Sequence, residues 1–261
     1  MKDVQNSADE RGIAIQKVGV SNVHLPFLIR TKNGSMQQVT ATIKLTVDLP
    51  QEFKGTHMSR FIEVLNDWRQ KPISNREMRQ ILSDILRRLN AQSAHIEIAF
   101  KYFIEKVAPV SKLSSLMDCD CVFAASLSVD GRHDFVLGLS MPITSLCPCS
   151  KEISCYGAHN QRGVIRVKVR HRPGKFTWIE DLAALLEAQG SSPVFALLKR
   201  EDEKFVTEMA YDNPKFVEDI LRDTVLALRA LDGIAWFEIE CETQESIHNH
   251  NAYAAHVETV L

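Results

Sequence analysis

The stretch Val39–Leu49, VTATIKLTVDL, places apolar residues at Val39, Ala41, Ile43, Leu45, Val47 and Leu49, with mostly polar residues between them. A period of two sends alternate side chains to opposite faces of an extended chain. The segment therefore reads as a half-buried antiparallel strand with one wet face. HIEIAFKYFIEK, from His95, repeats the pattern with Ile96, Ile98, Phe100, Tyr102 and Ile104. Two helical patterns lie between these strands. Met58, Phe61, Ile62, Leu65 and Trp68 follow i, i+3, i+4 spacing, as do Met78, Ile81, Leu82, Ile85, Leu86 and Leu89 after a cap at Asn75.

The second half repeats this order. Strands are expected near 133–142 and 163–171, then a helix near 177–189 carrying Trp178, Leu182, Leu185 and Leu186. A further helix is read through DNPKF, with Asn213 as cap, Pro214 at its first position, and Phe216, Val217, Ile220, Leu221 and Leu228 on its face. IAWFEIEC and NAYAAHVETVL close the chain as strands. Both halves read β-β-α-α-β-β, so the expected class is α+β, an antiparallel sheet with helices on one face. The divisions expected are a flexible polar leader over 1–13, a first module over 14–130 and a second over 131–261.

Composition narrows the function. The 261 residues are 45% hydrophobic and 25% charged, as in ordinary globular proteins, and the net charge of −2 argues against a broad nucleic-acid surface. No apolar run approaches the roughly 18 residues of a membrane span. MKDVQNSADERG at the start lacks the apolar core of a secretory signal. Six cysteines without such a signal point to a reducing compartment, here the cytoplasm, where clustered cysteines serve as metal or catalytic groups rather than disulfides.

The clustered ones lie in SLCPCSKEISCYGAHNQRG, Ser145–Gly163, which holds Cys147, Cys149, Cys155 and His159. Thiolate and imidazole are ligands of zinc and softer transition metals. All four together would make a closed Cys3His structural zinc. Cys147 and His159 alone would need a ligand from elsewhere and leave room for water, as in a catalytic site. Unmetallated or redox cysteines are the third reading, and spacing does not separate the three. Cys119 and Cys121, alternating in an apparent strand, read as small packing residues.

Two other stretches carry chemistry. KREDEKFVTE, Lys199–Glu208, reads as a solvated charged turn, or as the source of a metal carboxylate. ETQESIHNHNAYA, Glu242–Ala254, places His248 and His250 on one side of an extended segment near Glu245, suited to proton transfer at neutral pH or to an exposed turn. Glu218 lies four residues before Arg222, and a surface ion pair accounts for it on pattern alone.

Taken together, TSLCPCSKEISCYGAHNQRG, LLKREDEKFVTEMAYDNPKFVED and ESIHNHNAYA, with KGTHMSRF upstream, resemble the prokaryotic GTP cyclohydrolase type IB family over essentially the whole chain. The resemblance implies tandem tunnelling-fold modules and a homotetramer with active sites at subunit interfaces; charge and hydropathy lead to no expected nucleic-acid or membrane partner. It implies conversion of GTP and water to 7,8-dihydroneopterin triphosphate and formate, the first step of folate biosynthesis. Carried onto this sequence, it implies a metal held by Cys147, His159 and Glu203, with Glu201 as the neighbouring alternative. The ion would be manganese or zinc, with iron a third candidate. Cys149 would lie beside the site. His248, oriented by Glu245, would move protons. Glu218 would grip the guanine edge, with Glu245 as fallback, and Lys151, Arg162 and Lys204 would meet the triphosphate. The competing readings are a tunnelling-fold purine or pterin enzyme with a cysteine nucleophile, and a non-catalytic module built on Cys3His zinc.

Overall fold

A computed structural model describes residues 5 and 7–260. The chain runs β1 (Ile15–Arg30), β2 (Met36–Leu49), α1 (Met58–Trp68), β3 (Pro72–Ile73), α2 (Asn75–Leu89), β4 (Ser93–Val107), β5 (Ser114–Ser128) and β6 (His133–Leu146). It continues through α3 (Pro148–Ile153), β7 (Asn160–His171), α4 (Ile179–Glu187), β8 (Ser192–Pro193), α5 (Arg200–Asp212), α6 (Val217–Ala230), β9 (Ile234–Gln244) and β10 (Asn251–Thr259). The strands form one mostly antiparallel sheet in the order β10-β9-β7-β6-β5-β4-β2-β1-β3, with β8 on β6. With the six helices among the described residues this is an α+β fold. Among the described residues no helix is long and apolar enough to cross a membrane.

Two compact units divide the chain. One comprises the chain up to Lys101 together with Val122–Leu137. Here every alternate residue of the 39–49 stretch is buried, from Val39 to Leu49. α1 turns Phe61, Val64, Leu65 and Trp68 inward, and α2 turns Met78, Ile81, Leu82 and Ile85. Burying each such side chain is worth about 1.5–3 kcal/mol. At Gly19 a Cβ would lie 2.1 Å from the Leu45 carbonyl oxygen, so the approach of β1 to β2 there requires glycine. α2 starts one residue earlier than expected: Ser74 is its N-cap, and the Ser74 hydroxyl bonds the Glu77 carboxylate. The leader expected over 1–13 lies partly outside the described residues, at 1–4 and 6. Ala8 bridges to Phe53, and the Asp9 N–H donates to the Glu52 carbonyl over 3.2 Å.

The other unit comprises Tyr102–Cys121 and Gly138–Leu261. Ile165, Val167 and Val169 of β7 and Phe237, Ile239 and Cys241 of β9 are buried, as are Leu182 and Leu186 of α4 and Ile220 and Leu228 of α6. Cys119 and Cys121 are buried on one face of β5. Two local expectations are corrected. KREDEKFVTE is helical: it opens α5, with Asp202 at its third position fully buried. The Asp202 carboxylate accepts from Val110 N–H (2.8 Å), Ser111 N–H (2.9 Å), Ser111 Oγ (2.6 Å) and Lys199 N–H (2.9 Å). One side chain thus caps the helix and fastens it to the β4–β5 turn. Asn213 does not start the next helix. It closes α5, its Nδ2 donating to the Gly190 and Ser191 carbonyls, and α6 begins at Val217 where the Phe216 N–H donates to Asp219.

Candidate active site

Pro148 forces the chain after β6 into a short helix, and Cys147 becomes its N-cap. The Cys147 sulfur accepts from the Ser150 N–H at 3.5 Å. Ser150 then closes the motif: its hydroxyl donates to the Cys147 carbonyl and accepts from the His159 N–H, each at 3.1 Å. The Cys147 N–H donates to the His159 carbonyl at 3.1 Å. Cys147 and His159 are therefore pinned side by side through their backbones.

The His159 ring is oriented from β7 and β9. Its Nδ1 lies 2.9 Å from Gln161 Oε1 and 3.3 Å from Ser246 Oγ. Gln161 Nε2 donates to Glu245 Oε1 at 3.0 Å, and Thr243 Oγ1 donates to the same oxygen at 2.9 Å. Glu245 Oε1 accepts from both groups, so the Gln161 amide nitrogen is turned towards it. The Gln161 oxygen then faces His159 and takes the hydrogen of Nδ1, which leaves the lone pair on Nε2. An imidazole held through one nitrogen by a polar relay is how proteins present the other nitrogen to a metal or a proton.

The ligand set is only partly assembled. Among the described residues no three His, Cys, Asp or Glu side chains gather to hold a metal. Cys147 and His159 fit such a group; Glu203 does not join them. The reason lies in α5. Lys151 of α3 donates to the Tyr211 carbonyl and sits 4.2 Å over the Tyr211 ring, so the cysteine motif meets the C-terminal end of the helix. Glu203 lies eight residues earlier, about 12 Å along the axis at 1.5 Å per residue. Glu201 and Glu203 are both exposed, flanking buried Asp202. The Cys3His cluster is likewise not assembled, and Cys149 and Cys155 are both exposed.

Other expected residues find different surroundings. Glu245 serves Gln161 and Thr243, and no hydrogen bond joins it to His248 among the described residues. His248 and His250 lie in a bent loop rather than an extended segment, yet their rings stack at 5.2 Å and 18°. Arg222 pairs with Asp219 at 3.2 Å instead of Glu218. Glu218 is exposed in the first turn of α6 and has no hydrogen bond or ion pair among the described residues. Its helix is tied to the cysteine motif: the Lys215 N–H donates to the Leu146 carbonyl and the Ser145 hydroxyl to the Lys215 carbonyl, both at 3.0 Å. The three cations are not brought together. Lys151 is engaged by Tyr211, Lys204 faces Glu208 at 3.8 Å, and Arg162 lies on the opposite face of β7 from Gln161.

Sequence reasoning missed Ser150, Gln161, Thr243 and Ser246. Gln161 had a legible signal, its i, i+2 relation to His159 at the start of a strand. Ser150, Thr243 and Ser246 are hydroxyls whose partners, the Cys147 carbonyl, Glu245 and His159 Nδ1, depend on how the fold turns each side chain, which their residue type does not reveal.

The fold is that of the urate oxidases, the tunnelling fold. Uricase from Arthrobacter globiformis matches with a TM-score of 0.59 at 7% identity, over 94% of this chain and 93% of that one. Urate oxidase from Bacillus sp. TB-90 matches with a TM-score of 0.55 at 8% identity, over 94% of this chain and 100% of that one. At such identities the likeness concerns the fold alone. Sequence relatives are much nearer. GTP cyclohydrolase FolE2 of Geotalea uraniireducens is 57% identical over 255 residues, 98% of this chain and 92% of the relative. The FolE2 of Geobacter sulfurreducens is 56% identical over 255 residues, 98% of this chain and 97% of the relative. A family model described as type I GTP cyclohydrolase folE2 matches residues 1–254. With CPC, the histidine relay and the α6 carboxylate inside that span, the chain belongs to the FolE2 family of GTP cyclohydrolases.

Proposed function

We propose that this protein hydrolyses GTP to 7,8-dihydroneopterin triphosphate and formate, the first step of folate biosynthesis, in the manner of the type IB group and in the cytoplasm. The observation that carries this reading is the placement of Glu218. An exposed carboxylate without a partner among the described residues stands at the start of a helix whose approach segment is bonded to the residues just before Cys147. A carboxylate there accepts two parallel N–H donors of guanine, a charge-assisted geometry that selects for that edge.

Cys147 and His159 would hold a divalent ion, manganese, zinc or iron, with Glu203 or Glu201 as the carboxylate donor. Such an ion, when bound, lowers the pKa of water enough to supply hydroxide for attack on purine C8. The chain's own groups do the rest. Gln161, held by Glu245, engages Nδ1 of His159 and so would leave Nε2 for the ion. His248, exposed beside its stacking partner His250, is the group proposed to carry protons through ring opening and reclosure, and Cys149 lies on the rim. Lys151 and Lys204, with Arg162, are proposed to meet the triphosphate.

Assembly completes the site in this reading. Glu203 is exposed and remote from Cys147 along α5, while Ile153 at the end of α3 and Tyr156 and Ile247 in loops expose apolar side chains around the half-site. Exposed apolar groups of this kind mark contact surfaces. A homotetramer of tandem β-β-α-α-β-β modules with interfacial sites accounts for both features, the modules dividing near 130/131.

The test is to incubate the protein with GTP carrying carbon-13 at C8 and follow the label by NMR. The expected outcome is transfer of the label to formate, abolished by Glu218→Ala. Label retained on the purine by folded wild-type protein with metal supplied would overturn the assignment.

A further inference from the structure

On the helix-free face of β7 and β9 a cavity of about 290 Å³ is lined by Arg162, Gly163, Val164, Arg166, Glu242 and Gln244. Alternation puts Arg162, Val164 and Arg166 on this face, while Gln161, Gly163 and Ile165 face the core. The register sets Val164 opposite Glu242 on β9, and Glu242 opposite Tyr253 on β10. Arg166 donates to Glu242 at 2.9 Å, and Asn251 Nδ2 donates to the other Glu242 oxygen at 2.8 Å. Further along β7 the cations are satisfied: Lys168 pairs with Glu238 at 2.8 Å, and Arg170 stacks over Trp236 at 4.1 Å. Arg162 is different. No hydrogen bond or ion pair engages it among the described residues.

The cavity thus holds two guanidinium groups against one carboxylate, with the amide of Gln244 beside them. Guanidinium is a planar fork of donors matched to phosphate oxygens. The volume lies just below the roughly 300–1,000 Å³ of whole-ligand sites, room for a chain of phosphates but not for an entire nucleotide. Hydrogen bonds from Asn251 and Arg166 hold the Glu242 carboxyl below its ordinary value, so it remains an anion and competes with any incoming one.

We propose that this cavity is a polyphosphate subsite, with Arg162 and Arg166 as its ligands and Glu242 as the resident counter-anion that a phosphate chain displaces from Arg166. The cavity begins at Arg162 and Gln244, the sequence neighbours of Gln161 and Glu245, across the sheet from the histidine relay. The chain could therefore be the substrate's own triphosphate turned over the strand ends, an alternative resting on the GTP cyclohydrolase reading, or a separate polyphosphate anion. The binding chemistry is the same for both.

Calorimetric titration with inorganic tripolyphosphate tests this on the full-length protein. Wild type should bind saturably, and Arg162→Gln with Arg166→Gln should weaken binding at least about tenfold, from the loss of charge-assisted hydrogen bonds. Lys168→Gln should change nothing. Glu242→Gln removes the competitor and should tighten binding about two- to fivefold, the scale of an exposed ion pair, a gain that misfolding does not produce. No binding by wild type, equal binding by the double variant, or no gain with Glu242→Gln would each overturn the proposal. Competition with GTP, with KM raised and kcat kept in the double variant, assigns the substrate's triphosphate; binding without competition assigns a separate anion. Wild type that releases no formate would defeat the cyclohydrolase reading while the isotherms still judge the cavity.

Discussion

Replacing Gln161 by leucine tests the relay at its middle member. The leucine fills nearly the same buried space, so the change is mainly the loss of two hydrogen bonds, 2.9 Å to His159 and 3.0 Å to Glu245. The first is neutral and worth about 1 kcal/mol; the second is charge-assisted and worth about 2 kcal/mol, so the variant should lose about 3 kcal/mol of stability at most. The functional effect is larger than that stability loss suggests. With no acceptor facing Nδ1 except the Ser246 hydroxyl at 3.3 Å, the hydrogen is free to occupy either nitrogen. Loss of a group that orients a metal-binding histidine costs about 10–100-fold in metal affinity or activity. The assay is formate release under saturating GTP, with metal affinity measured on the same preparation and nitrogen-15 NMR of the His159 ring reporting the tautomer. A folded Gln161→Leu protein with activity and metal affinity within twofold of wild type, and the Nδ1–H tautomer intact, would refute the relay.

Glu218→Ala should leave the melting temperature unchanged, because an exposed side chain without partners contributes little, yet lower kcat/KM for GTP about 100-fold; an unaffected kcat/KM would remove Glu218 from the guanine site. Cys147→Ala should abolish activity while Cys155→Ser, at an exposed position, keeps most of it, and the reverse pattern would revive a structural Cys3His zinc. Asp202→Asn should lower the melting temperature at neutral pH. Burial alone would raise the Asp202 carboxyl, but the Ser111 hydroxyl and the Lys199, Ser111 and Val110 amides outweigh it and hold it well below 3.8. Its stabilisation is therefore present above the ordinary carboxylate range and lost as pH falls through the depressed folded value. The variant should show a correspondingly flatter acid melting curve, and identical curves would contradict the cap. Leu228→Ala, at a fully buried position of α6, should cost about 2–5 kcal/mol in denaturant unfolding.

Most strands after β1, and most of the buried faces of α1, α2 and α6, were legible because hydrophobic period survives without any partner being known, although Met58 and Phe216 are exposed. Val39–Leu49 is the plainest case, with all six apolar positions buried. Helix starts were less legible. Asn213 looks like a cap, but its amide is taken by the Gly190 and Ser191 carbonyls, contacts from a segment distant in sequence. KREDE looked like a charged turn because nothing local says that Asp202 will be buried under the β4–β5 turn. At the site, cysteine and histidine were conspicuous by type. Glu245 was noticed but given to His248, since only the β7–β9 register brings it to Gln161. Glu218 was invisible on pattern, because an i+4 arginine offered a sufficient partner that the fold instead gives to Asp219.

The central claim is that Cys147 and His159 anchor a metal-dependent hydrolysis of GTP. Metal-stripped protein given GTP, with Mn²⁺ or Zn²⁺ restored separately, should release formate and an equal amount of fluorescent pterin after oxidation, and Cys147→Ala should release neither. Formate and pterin from stripped wild type at the full rate, or from Cys147→Ala with metal restored, would contradict it.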